Sequence, residues 1–577
     1  MRYSKPLAAK LVLAAILAGL AAAPAAAQSA KPVWLPDQGD GTYRNPVLAG
    51  DYSDPDVIRV GEAYYLTASS FTNTPGLPVL RSTDLVNWTV IGHALTAIPP
   101  YAHHATPRRG GGVWAPAIRH HDGKFMIYYP DPDFGIFLTT ATDPAGPWTP
   151  PVLVDDSVGA IDPCPFWDED GTGWLFTARA RSRAGVANIV ILQKLSADGT
   201  RTVTPPKTIV DGDALPKVAT AYGLSPWITT EGPKVYKRNG WYYLFAPSGS
   251  VKGGWQGVFR SRDLQGPYEG RNVLDQGETP VNGPHQGAWV TTPKGEDWFV
   301  HFQDADSYGR RVWLEPMVWK NDWPVIGEDR DGDGRGQPVL RWKKPAGAPK
   351  VAPTAPPTDD DFDGAMNLSW QWNANSAEDW SSLTARPGAL RLKSISSPAN
   401  LWEAGALLIQ KLPADRFTAT TQITFAPKAV GERAGLVMFG ANYGWIGLEK
   451  TAQGTRLVRV DRLGADTSKP ETVTVGLEAA PATVFLRLTA EPVTVADPPP
   501  GFSPYAPAML RSIHARVSFS YSLDGIAYQP LGEPLVSRPG RWVGTQMGLF
   551  AQAPAGTPSN TATRVGWTDV ERFWVTP

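Results

Sequence analysis

The 577-residue chain has a single cysteine, Cys164, so no intrachain disulfide can form and the fold must hold by burial alone. Charge is also scarce. Only 19% of residues are charged, the formal net charge is −1 at pH 7 and the pI is about 6.7. No global field therefore favours nucleic acid, an anionic membrane or a polyanionic substrate, and a neutral partner fits best. No segment carries a long amphipathic helical period, so the chain does not read as a helical bundle. Hydrophobic residues make up 42%, which excludes a wholly disordered chain, and the length calls for at least two domains. What the sequence does have is aromatic surface: 23 Trp and 18 Tyr. Flat amphipathic rings suit neutral polar ligands such as sugars, although many must fill cores.

The one long apolar run is N-terminal. Arg2, Lys5 and Lys10 precede a stretch too short to span a bilayer comfortably, and Ala25-Ala26-Ala27 offers a small-residue cleavage pattern. Residues 1–27 read as a signal peptide, with an uncleaved membrane anchor as the alternative. No Cys follows the cleavage position, which argues against a lipoprotein anchor. An exported protein is expected, periplasmic or secreted, with no membrane contact after cleavage.

Residues 343–358, KKPAGAPKVAPTAPPT, are rich in Pro and Ala and predict an extended, semi-rigid linker. It divides an upstream unit, 42–342, from a downstream unit, 359–577. The upstream unit repeats a polar turn feeding an aromatic strand: GEAYYLTAS, DGKFMIYYP, DGTGWLFTA, NGWYYLFAP and KGEDWFVHF. Five copies at spacings of roughly 50 to 70 residues leave room for four strands each, the signature of propeller blades. A five-bladed β-propeller is expected, in preference to a flat β-sandwich array. The downstream unit lacks that repeat. Segments such as TATTQITFA and HARVSFSYS alternate at period two and predict an antiparallel β-sandwich. Its tryptophans suit a core better than a sugar-binding face.

Three acids have unusual settings. In GDYSDPDVIRV, Asp54 precedes Pro55 at the mouth of the first blade, where proline should hold it extended. Its neighbours Asp51 and Asp56 are assigned to turn capping or a supporting role. In GAIDPCPFW, Asp162 stands among apolar residues, where an ionised group is costly without a purpose or partner. Glu231 precedes Gly232-Pro233 and the fourth aromatic repeat. Inner strands of a propeller converge on a channel, so acids from the first, third and fourth blades would meet. Two carboxyls across a pocket, one ionised and one protonated, are the minimum for hydrolysing a glycosidic bond, and a third raises the proton donor's pKa by repulsion.

The strings RNPVLAGDYSDPDVIRVGEAYYLTASSF, GGGVWAPAI, GAIDPCPFWDEDGTGWLF, TEGPKVYKRNGWYYLF and GPHQGAWV, in that order, resemble successive blades of glycoside hydrolase family 43. The segment beginning DDFDGAMNLSWQWN resembles the concanavalin-like (jelly-roll) sandwich of its β-xylosidase members, so the likeness covers nearly the whole mature chain. The resemblance implies inversion, with Asp54 as general base, Glu231 as general acid and Asp162 as modulator of the acid's pKa. It also implies an aromatic wall from Phe71 and Trp114, for which core packing is the alternative. It assigns Arg310 to the sugar hydroxyls and the modulating Asp, with Arg311 as competitor. Trp255 and Gln256 would border the leaving-group side. His285 resembles an axial histidine that binds a calcium ion or an ordered water; no cofactor is required.

Two other features are discounted. DRDGDG at 329–334 fits the first half of an EF-hand loop, but Leu340 stands where a bidentate Glu is required, so a Gly-rich hairpin is expected. Cys164, with apolar flanks and no nearby His, reads as a small buried hydrophobe. The expected activity is exo-acting release of terminal β-D-xylose, α-L-arabinofuranose or both from pentose-containing oligosaccharides. The alternatives are an endo-arabinanase on the same scaffold and a non-catalytic glycan-binding protein, the latter opposed by the three acids. A fructan-cleaving relative is disfavoured because its Trp-Met-Asn-Asp-Pro string is absent.

Overall fold

The structure, a computed structural model, describes residue 1 and residues 32–467, 469–495, 512–557 and 565–577. The leader reading at 1–27 falls almost wholly outside them.

Each aromatic repeat becomes the second strand of a four-stranded antiparallel blade: Ala63–Thr67, Lys124–Asp131, Gly173–Arg179, Trp241–Ser248 and Asp297–Asp304. The turns in front explain the recurring polar dipeptides. Asp122-Gly123 and Asn239-Gly240 both take positive φ at their two positions (48° and 72°; 52° and 71°), the geometry that lets a two-residue loop follow strand twist. The strands are apolar on both faces because each blade packs against two neighbours. Tyr242, Leu244 and Ala246 face blade 3, where they join Phe176 and Leu192. Tyr243 and Phe245 face blade 5, where they meet Phe299 and Met317. Similar apolar seams fill the other three gaps between blades.

All four strands of every blade are consecutive in sequence, so no shared blade closes the ring. The segment before blade 1 does that work. Tyr43 Oη and Asn45 Nδ2 both donate to Leu314 O of blade 5, at 2.8 and 2.9 Å, and Leu48 bridges to Val312.

The last blade strand ends at Ile326 and the first sandwich strand is Gln371–Trp372. Two eight-stranded sheets follow, with non-consecutive neighbours: Gln546–Ala553 lies between Leu407–Lys411 and Arg433–Phe439, and Phe417–Ala426 between Trp567–Thr576 and Thr483–Val495. Trp370, Trp372 and Trp445 are buried, so these tryptophans serve as core. The Pro/Ala segment does not stand free as a spacer. Lys344 Nζ pairs with Asp37 and Asp84, each at 2.7 Å, Thr354 N donates to Asn87 Oδ1, and Gln410 Nε2 of the sandwich donates to Thr358 O. At 329–334 the chain forms an exposed loop bounded by a Glu328–Gln337 bridge, with Asp329 paired to Lys320 and Asp333 to Arg335.

Candidate active site

Asp54 sits two residues before the first inner strand, Asp56–Val60, and Asp162 lies within its counterpart in blade 3, Ala160–Trp167. Glu231 stands three residues before the inner strand of blade 4, Lys234–Arg238. The expectation that Pro55 holds Asp54 extended is wrong: Asp54 has φ 54°, and Asp162, also before a proline, has φ 55°. Aspartate tolerates this left-handed region better than most residues. At Asp162 the pairing register shifts between Ile161 and Cys164, an irregularity of the kind that re-aims a side chain.

The surroundings of the three carboxyls differ. Ser53 Oγ and Ser69 Oγ each donate to Asp54 Oδ2 at 2.6 Å, and Arg310 Nη1 donates to Oδ1 at 3.1 Å. Asp162 Oδ2 accepts from Gly232 N at 2.8 Å and Gln286 Nε2 at 3.3 Å. Glu231 Oε1 lies 3.7 Å from His285 Nε2, beyond hydrogen-bonding reach. Burial raises the Asp162 pKa, and the charge of Asp54 raises it further against the pull of Lys234. Glu231 is raised well above the usual carboxylate range, first by burial, then by Asp162 and Asp54, with Arg310 opposing. Asp162 accepts from the amide next to Glu231. The Arg310 guanidinium on Asp54 lies over Phe302, whose ring neighbours His285 and through it Glu231, so acids from three parts of the chain meet.

Arg310 and Arg311 part company because consecutive strand residues point to opposite faces. Arg310 reaches Asp54 and Ser53 in place of the modulating Asp162 that the resemblance implied, whereas Arg311 pairs with Asp415 of the sandwich. Trp114 is half-buried, packs against Ile161, Ala178 and Ala180, and donates from Nε1 to Gly110 O. Phe71, 5% exposed with φ 50°, lines a small void toward the sandwich with Arg109, Trp402 and Gly544. Trp255 and Gln256 present almost no surface, at 3% and 0%. Trp255 packs against Trp227, and Gln256 Nε2 donates to Gly257 O.

His285 is fully buried and neither ring nitrogen has a partner. Burial and Arg310 push its pKa down to about 3, so the ring is neutral at any working pH. Two orphaned nitrogens suit a hydrogen-bonding guest such as water. Calcium asks for six to eight oxygens. Among the described residues, the only converging group of three or more acidic, His or Cys ligand atoms is Asp329, Asp331 and Asp333, and neither His285 nor Glu231 belongs to it.

Of the two roles the sequence left open for the neighbours of Asp54, turn capping fails at Asp56 and a supporting one remains. Asp56 caps no turn: it bridges to blade 2, accepting from Ile118 N at 2.8 Å and Arg119 Nη1 at 2.6 Å. Cys164 is buried as expected, yet its Sγ also accepts from Arg119 Nη2 at 3.0 Å. Ser53, Ser69, Gln286 and Trp542 are residues of the site that the sequence did not single out. Trp542, from a sandwich loop and with φ 68°, places its ring 6.1 Å from that of Trp114 and 5.5 Å from the Arg310 guanidinium. In RPGRWVG, its Gly and Pro neighbours signal a turn, but nothing local distinguishes it from a core tryptophan.

Comparison with known proteins identifies the scaffold. The profile of glycosyl hydrolases family 43 matches residues 43–324, and that of the beta xylosidase C-terminal concanavalin A-like domain matches 359–571. A protein of Xylanibacter ruminicola is 38% identical over 514 residues, covering 89% of this chain and 87% of its own. The chain belongs to glycoside hydrolase family 43. A beta-xylosidase of Formosa agariphila is 30% identical, covering 93% of this chain and 90% of its own. A non-reducing-end alpha-L-arabinofuranosidase of Bacteroides ovatus is also 30% identical, covering 78% and 84%. The solved structure of a xylan beta-1,4-xylosidase from Bacillus halodurans shares the fold, with TM-score 0.76 over 92% of this chain and all of that one, at 23% identity. This family 43 enzyme therefore pairs a propeller with the appended sandwich, and the loop bearing Trp542 lies beside its acids.

Proposed function

We propose that this enzyme removes one terminal pentose at a time, β-D-xylose or α-L-arabinofuranose, from xylan- or arabinan-derived oligosaccharides, with inversion at the anomeric carbon. The observation that carries the exo reading is Trp542: a sandwich side chain against Trp114 and Arg310 walls off one side of the acid cluster, as a blind pocket requires. A chain threading through for internal cleavage needs an open groove instead. The relatives named for xylose and arabinofuranose release support the two sugars.

Asp54, held by Ser53, Ser69 and Arg310, is the base that takes a proton from the attacking water. Glu231, whose pKa is raised by burial and by the neighbouring carboxylates, gives its proton to the departing glycosidic oxygen. An inverting pair stands roughly 6.5 to 9.5 Å apart to admit the water. Asp162, through Gly232 N, fixes the backbone beside Glu231, and its charge raises the acid's pKa. The neutral His285 ring behind Glu231 adds no counter-charge that would pull the proton away.

The test is product analysis on xylo- and arabino-oligosaccharides, with NMR of the first-formed sugar. Monosaccharide alone from the earliest time, with inverted anomeric configuration, is expected. Oligosaccharide mixtures would overturn the exo reading, and a retained anomer the inverting one.

A further inference from the structure

Three segments far apart in sequence meet at Asp51. Its Oδ1 accepts from Arg310 N and its Oδ2 from Gly544 N, both at 2.8 Å, and the residue is 5% exposed. Two glycines make this approach possible. A Cβ at Gly309, itself at φ 72°, would lie 2.3 Å from Asp51 Cγ, and a Cβ at Gly544 would lie 2.5 Å from Gly309 N. Only bare backbone fits on both sides of the carboxylate. The junction extends along the blade 5 turn, where Thr545 N donates to Ser307 O at 2.7 Å and Ser537 Oγ to Ser307 Oγ at 2.9 Å.

The two backbone groups that Asp51 holds belong to the pocket. Arg310 is tied twice to one short segment: its amide to Asp51 and its guanidinium to Asp54. Gly544 lies two residues beyond Trp542, whose ring stands over that guanidinium. Asp51 thus joins the propeller residue gripping the base to the sandwich loop forming the wall.

We propose that Asp51 is a positioning residue for recognition of the terminal sugar, setting the distance between Arg310 and the Trp542 wall through its two backbone hydrogen bonds. This rests on the exo-pentosidase reading above. Asp51 touches no reacting atom in this scheme, so its removal loosens the pocket and leaves proton transfer intact.

The experiment uses the full chain with p-nitrophenyl β-D-xylopyranoside and α-L-arabinofuranoside. Asp51→Ala should raise KM about tenfold, the worth of one or two charge-assisted bonds, with kcat changed less than about threefold and both limbs of the pH profile unmoved. Asp51→Asn, which keeps one acceptor, should recover part of the KM. In a double-mutant cycle with Trp542→Ala, the KM effects should fall short of multiplying, because both act on the same wall. If Asp51→Ala does not fold, Gly544→Ala, which pushes the loop off Gly309, should give the same KM split. An unchanged KM, a fall confined to kcat, or effects that multiply would overturn the proposal. Wild-type inactivity on both pentosides would instead sink the exo-pentosidase reading, and this proposal with it.

Discussion

Asp54 in blade 1 and Asp162 in blade 3 stand on nearly the same backbone, φ 54° and 55°, each before a proline, yet the two sides of the pocket are furnished differently. On the Asp54 side, two hydroxyls and a guanidinium converge on one carboxylate. On the other side Asp162 receives one backbone amide and one longer amide contact, and Glu231 meets only a neutral imidazole at 3.7 Å. The propeller repeat therefore supplies a position, and the neighbours supply the chemistry. Carboxyls on one scaffold take different proton-transfer roles when their environments push them apart.

The largest expected effect comes from the donor-rich side. Asp54→Asn should cost about 10⁴ in kcat on activated and unactivated pentosides alike, since every substrate needs the deprotonated water. Steady-state kinetics on both classes checks it, and near-normal turnover would break the comparison. Next is the donor-poor side. Glu231→Gln should cost roughly 10² to 10⁴ on oligosaccharides but far less on nitrophenyl pentosides, whose leaving group departs without a proton. Equal losses would remove Glu231 from the acid role.

The smallest effect is the most discriminating. Asp162, where it is ionised, raises the Glu231 pKa, so removing that charge lowers it. In Asp162→Asn the basic limb of the kcat/KM profile, set by loss of the Glu231 proton, should move to lower pH by on the order of one unit. The acidic limb should move far less. A fixed basic limb with reduced activity would leave Asp162 a role in positioning alone.

Much of the architecture was legible in the chain itself. Asp-Gly and Asn-Gly dipeptides ahead of aromatic runs dictate two-residue hairpins, and strands apolar on both faces demand neighbours on both sides; five such repeats close into a ring. The three acids stood out because each interrupts that pattern with a charge beside proline or glycine. Those are local properties, fixed by turn geometry and by the period of two along a strand. Asp51 and Trp542 were not legible, since their meaning lies in contacts across 259 and 493 positions at Asp51, and in a wall that the sandwich builds against the propeller at Trp542. Likewise Arg310 and Arg311 are indistinguishable as neighbours in sequence until the strand's register sends one to Asp54 and the other to Asp415. Local pattern determined which residues turn, pair and carry charge. The docking of one domain on the other decided which of them share a pocket, because that depends on backbones approaching closely at Gly309 and Gly544, a fit that no periodicity encodes.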